Sequence, residues 1–330
     1  MGVYHLMGLG RSPGAVAAAI SYLAARYERW DECDARFFAT SGEFDQQGKR
    51  GDVQALVLFT TAEVIAGKPE GRCADYIDNP CGQSRGKCGH DDPVPRLLKR
   101  AMKSDLCRLG GGRADIPLFW CEIDLTDPFL TFARVAEVMH AAKRTGRVGK
   151  EIWINLTGGS NVVNLALQLS AALLGHPARI YYLLAGDTRC LRHTVPAAEL
   201  GTERDGFWVE IPALYMSLDA SAAAILELIE REDRPLPDEE LLAKLRNHPA
   251  RWADFAALDL PALRRAYLLP MSANQLIARP EKHVVTAGRE WATLKRYYQV
   301  VAGLREPEST GEAGLEQLAA SRPWLHADSV

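Results

Sequence analysis

Residues 152–175 read IWINLTGGSNVVNLALQLSAALLG, and this stretch decides how the chain folds. Ile152 to Leu156 is an apolar run of the kind found in a strand covered on both faces. Asn161 to Leu174 carries Val, Leu and Ala at helical spacing and stops at Gly175. Between them, Thr157-Gly158-Gly159-Ser160-Asn161 turns the strand into the helix. Glycines let the backbone approach a ligand closely, and one of them can take a positive φ. The free N–H groups and dipole of the following helix favour a phosphate. The hydroxyls of Thr157 and Ser160 add uncharged donors, Asn161 donates and accepts, and Asn164 lies one turn later on the same face. A tight turn capped by Ser160 is the plainer reading. Two adjacent glycines and three polar residues at the carboxyl end of a strand favour a ligand cradle.

The same alternation runs outward in both directions. Val3 to Leu9 is a first strand; it ends at Gly10-Arg11-Ser12-Pro13-Gly14, and an Ala-rich helix follows from Ala15 to about Trp30. Val53 to Phe59 and Ile116 to Leu125 are further strands. Asp127-Pro128 then gives an N-cap with proline at the first helical position, opening a helix to about Lys143. Arg179 to Ala185 and Phe207 to Ile211 complete the set. Strands alternating with helices predict an α/β fold with a Rossmann-like, mostly parallel sheet. Ligands of such sheets lie at the carboxyl ends of the strands, where both glycine-rich turns fall. Gly8-x-Gly10 is followed by Pro13-Gly14 rather than by the dinucleotide fingerprint, and no matched acidic residue ends a second strand, so NAD is not the expected ligand. Residues 67–112, rich in Gly, Pro, Cys and charge with a helix near Pro95–Cys107, read as an insertion.

The chain has 330 residues, 47% of them hydrophobic and 25% charged, with a net charge of −3. That is an ordinary globular composition, large enough for two domains. No apolar run reaches the roughly 18–20 residues that span a bilayer, and no charged leader with a cleavage site opens the sequence, so no membrane partner and a cytoplasmic location are expected. Seven cysteines do not suggest a disulfide framework. Cys73, Cys81, Cys88 and His90, with Cys107 nearby, have donor chemistry that suits zinc, but no C-x-x-C pair is present. Scattered reduced thiols are the preferred reading.

After about Ser217 the strand–helix alternation stops. Helices are expected over Ala220–Glu232, Glu239–Arg246 and Leu260–Leu269, the last cut short by Pro270. A hairpin is expected with strands Asn274–Ala278 and His283–Thr286, and a closing helix over Trp291–Leu304. Together these elements read as a winged helix-turn-helix. From Leu258 to Arg305 there are eight Lys or Arg against three Asp or Glu, within an acidic chain. Arg264, Arg265 and Tyr267 on the third helix, and Lys282 at the wing tip, are candidate contacts to double-stranded DNA. A wing used for dimerisation, its charges merely solvated, is the alternative. The expected boundaries are 1–216 for the sensing domain, 217–305 for the winged helix and 306–330 for a mobile tail in which Trp324 docks.

A strand ending in Gly10-Arg11-Ser12-Pro13-Gly14, and another running through Asn155-Leu156-Thr157-Gly158-Gly159-Ser160, resemble the two motifs of the CARF family, the CRISPR-associated Rossmann-fold sensors. The resemblance spans about the first 215 residues and is carried by few of them. It implies a homodimer that binds a cyclic oligoadenylate, the messenger of type III CRISPR antiviral defence, across its two-fold axis. The C-terminal domain would act as a ligand-controlled transcriptional regulator. Some members cleave the ring; here Arg11, Ser12 and Asn161 would serve. Some ring-cleaving members have lysine where this chain has Asn161, which favours sensing over a metal-independent ring nuclease. Arg134-x5-His140 fits the R-x4-6-H pattern of HEPN ribonucleases. It falls in a helix of the sensing domain and reads as a solvated face.

Overall fold

The structure, a computed structural model, describes residues 2–10, 14–28, 38–41, 47–67, 93–143, 151–184, 207–212, 220–249, 251–304 and 309–330. The chain divides into two compact units, Met1–Tyr215 with Leu304–Val330, and Met216–Gly303.

The first unit is built on a seven-stranded sheet. Its strands are β1 (Gly2–Gly8), β4 (Asp52–Thr60), β5 (Pro117–Glu122), β6 (Glu151–Asn155), β7 (Pro177–Leu183), β8 (Trp208–Ile211) and β12 (Leu325–Ser329), in the order β12-β5-β4-β1-β6-β7-β8. β5, β4, β1, β6 and β7 run parallel, and β12 and β8 close the two edges antiparallel. A short hairpin, β2 (Ala39–Ser41) with β3 (Gln47–Arg50), stands apart. The central strands are buried almost throughout, which is why they read as apolar runs rather than alternations. From β1 the chain steps one way to β4 and β5, then crosses back to β6 and β7 on the other side of β1. Reversing the direction of winding puts the crossover helices on opposite faces. Gly14–Tyr27 packs with Val94–Leu109, and Pro128–Ala141 with Asn161–Leu174.

Local signals set the helix ends. The Asp127 side chain accepts from Leu130 N at 2.9 Å, with Pro128 next to it. The Asn161–Leu174 helix ends at Gly175, whose φ of 64° is left-handed and whose N–H reaches Ala171 O. The Val94–Leu109 helix, expected within an insertion, is instead the crossover between β4 and β5. It buries Val94, Leu98, Met102, Leu106 and Leu109 in the main core.

The expected tail is also part of this unit. Helix Glu312–Ser321 leads into β12, which pairs with β5 from Leu325↔Cys121 to Ser329↔Pro117. Glu312 N donates to the Tyr4 hydroxyl at 2.8 Å, and Arg322 pairs with Glu137. Trp324 docks as expected, with the Arg134 guanidinium over its ring. β12 escapes sequence reading because only Leu325 of its five residues is buried, so no alternation is visible.

The second unit contains helices Ala220–Glu232, Asp238–Arg246, Trp252–Ala256 and Arg289–Ala302, and a three-stranded sheet. In that sheet β11 (Val284–Ala287) lies between β10 (Ile277–Glu281) and β9 (Leu236–Pro237), antiparallel to both. The helix expected to stop at Pro270 runs on to Ala273. It passes through Leu260–Leu263, a π turn at Arg264–Leu268 and then Leu269–Ala273. Proline clashes with the carbonyl four residues earlier, here Ala266, and the wider π turn at that point accommodates it.

Candidate functional site at the carboxyl edge of the sheet

The direction of winding reverses between β1 and β6, so their carboxyl ends flank a topological switch point, where open α/β sheets form their ligand crevice. Both glycine-bearing turns emerge there, because Leu6↔Ile154 and Met7↔Asn155 are register partners. The glycines have a different first task from the one expected. A β-carbon on Gly158 would lie 2.4 Å from Gly8 O, and one on Gly159 would lie 2.8 Å from Gly8 Cα. Gly159 also holds a φ of +84°. These residues let the second turn close on the end of β1 at Gly8. At Gly10 no atom of the described residues lies within 4 Å of where a β-carbon would be.

Hydrogen bonds then lock the second turn. Asn155 is fully buried, and its Oδ1 accepts from Thr157 N at 2.7 Å. Thr157 Oγ1 accepts from Leu183 N at 2.7 Å, tying the turn to β7. Ser160 caps the helix, its Oγ accepting from Val163 N at 3.4 Å, and Asn164 Nδ2 donates to Leu156 O at 3.0 Å. Ser160 and Thr157 therefore serve the turn itself, whereas Asn161 is exposed at the helix start. Two buried polar atoms beneath the turn, Asn155 Nδ2 and Asn164 Oδ1, make no hydrogen bond to any described residue. The Asn155 amide also stands beside the Tyr181 phenol. Gly10 and Gly14 border the first turn; Arg11, Ser12 and Pro13 lie outside the described residues.

Below the turns, the face under the Gly14–Tyr27 helix carries a buried aromatic layer. His5 meets Trp153 and Tyr181 edge-on, and Tyr181 stacks on Trp208 at 4.0 Å. His5 Nδ1 lies 3.2 Å from the Tyr181 hydroxyl. Burial, and secondarily the Arg179 guanidinium, lower the His5 pKa to about 3, so the ring is neutral. Burial pushes the Tyr181 phenol well up, and the nearby Asn155 amide offsets only part of this. Arg179 itself sits over Trp153 at 4.3 Å and pairs with Glu210 at 3.0 Å. This layer supports the site and holds it rigid.

The remaining candidates separate. Cys73, Cys81, Cys88 and His90 lie outside the described residues; among the described residues no group of three metal donors occurs. Arg134 donates to Glu122 O at 2.6 Å, and His140 Nδ1 faces His176 Nε2 at 3.5 Å, so the two residues of the R-x5-H pattern turn to different partners. In the second unit, Arg264 and Lys282 line one cleft, while Arg265 is exposed and Tyr267 half-buried elsewhere on the π turn. Arg264 Nε is 2.7 Å from the fully buried Asp238 carboxylate. Asp238, Arg279 and His283, all in this cluster, were not singled out from the sequence. An acidic residue directly after Pro235-Leu236-Pro237 was the available signal for the first.

No family model matches the chain. An uncharacterized protein of Archaeoglobus fulgidus is 27% identical over 194 residues, which cover 57% of this chain and 58% of that relative. No helix among the described residues is long and apolar enough to cross a membrane.

Proposed function

We propose that the protein is a sensor of a cyclic oligonucleotide, a cyclic oligoadenylate by its resemblance to the CARF family, and that its C-terminal unit is a winged helix whose DNA binding the ligand controls. The observation that carries this reading is the Thr157–Asn161 turn, closed onto the end of β1 at the switch point between β1 and β6. This edge offers a helix N-terminus and an exposed Asn161, with Gly10 just beyond β1. Uncharged donors and backbone N–H groups suit a phosphate-bearing ligand. A ring with near-symmetric phosphates fits two copies of the site brought together in a homodimer. For the second unit, the element order helix, short strand, three helix segments, hairpin and final helix, with β9 joining the hairpin as third strand, supports the winged-helix reading.

The ligand controls the output only through different affinities for two arrangements of the dimer. Incubating the chain with labelled cyclic tetra- and hexaadenylate, then comparing gel shifts of its own promoter with and without the ring, tests the reading. Retention of an intact ring together with a ligand-dependent shift is expected. Linear products would make it a ring nuclease instead, and the absence of a shift in either state would remove the regulator.

A further inference from the structure

A cleft of about 460 Å³ in the second unit is lined by Arg264, Leu269, Arg279, Glu281, Lys282 and His283 among others. Its charge is organised from below. Asp238 opens its helix with its N–H donating to His283 O, and its carboxylate is fully buried. That carboxylate holds Arg264 Nε at 2.7 Å and Arg279 Nη1 at 3.4 and 3.5 Å, and His283 Nδ1 stands 3.9 Å away. One carboxylate thus fixes two guanidinium groups of the lining while engaging a single nitrogen of each. Arg279 Nε is buried and makes no hydrogen bond to any described residue. Lys282 stands exposed at the turn between β10 and β11. Three permanent cations and a histidine face Glu281 and the buried Asp238, which leaves the cleft positive. Oriented guanidinium forks with spare N–H donors match the several acceptor oxygens of a phosphate.

We propose that this cleft seats one phosphate group, contacted by Arg279 and Lys282, with the Asp238 carboxylate holding the arginines in place. The natural source under the DNA-binding reading above is a backbone phosphodiester; free phosphate has the same chemistry. Two measurements on the full chain separate these sources. The first follows the His283 ring resonance, assigned by its loss in His283→Gln, through a titration with inorganic phosphate against chloride at constant ionic strength. The second follows fluorescence anisotropy of a duplex across a salt series.

In wild type, phosphate is expected to shift the His283 resonance beyond the chloride control. Lys282→Ala and Arg279→Ala are expected to weaken that response several-fold. Each should also make the salt dependence of duplex binding shallower by about one charge. Arg279→Lys, which keeps the charge and the fold but loses the fork, should fall between. A phosphate response without any duplex binding keeps the seat and overturns the DNA reading. A duplex effect without a response to inorganic phosphate keeps the seat and assigns it to the phosphodiester. If His283 responds no more to phosphate than to chloride, and the variants leave duplex behaviour unchanged or wild type binds no duplex, the seat does not exist.

Discussion

Single residues set both the shape of the switch-point site and its rigidity. Gly8 and Gly158 have no room for a side chain against each other, and Gly159 combines that crowding with a left-handed backbone. Beneath them, His5 supplies a pH-dependent element. Its folded pKa of about 3 lies below the unfolded value of 6.5, so between these values the unfolded chain binds a proton that the folded chain refuses. Stability contributed by the neutral ring is therefore complete above about pH 6.5 and is lost as pH falls towards 3, by up to ~1.4 kcal/mol per pH unit. Urea midpoints of wild type and His5→Gln at pH 7.5 and 5 check this. The variant should lose less stability on acidification than wild type, and equal losses would mean that His5 is not the titrating group. Asn155 shows how far residues were legible. It ends an apolar strand in the sequence, but its burial and its half-satisfied amide emerge only when β7 is placed beside it.

Among elements, those that announce themselves by local chemistry fell where the sequence placed them. The Asn161–Leu174 helix has a Ser160 cap and a Gly175 stop, and both act as such. β1, β4 and β6 are buried on both faces and read directly as apolar runs. Elements defined by their partners were less visible. β9 is two residues long and exists because Val284 and Val285 pair with it. β12 carries polar residues that face solvent, and its register on β5 is set by long-range contacts such as Asp328 with Lys99 and Trp120. These contacts make the C-terminal segment a structural element of the first unit. Tyr4→Phe, which removes the acceptor of Glu312 N, should cost about 1 kcal/mol in urea unfolding. Removing residues 309–330 should lower the midpoint much further by baring the β5 edge. A truncated chain as stable as the whole one would show that the segment is a free tail.

At the scale of the whole molecule, the second unit is inserted in the first. The chain leaves from β8 at one edge of the seven-stranded sheet and returns to β12 at the other. The sequence shows a change of composition near Ser217 but contains no signal that the Rossmann-like fold resumes after residue 303, because that return consists of one helix and an exposed edge strand. Calorimetric titration of the full chain with cyclic tetra- and hexaadenylate, with linear oligoadenylates of equal length as controls, tests the sensor directly. The account predicts saturable binding of one ring by two chains, weaker binding of the linear forms, and at least a roughly tenfold loss in Asn161→Leu, where an amide facing the ligand is replaced by an apolar group. Equal binding of cyclic and linear forms, or none of either, would contradict it.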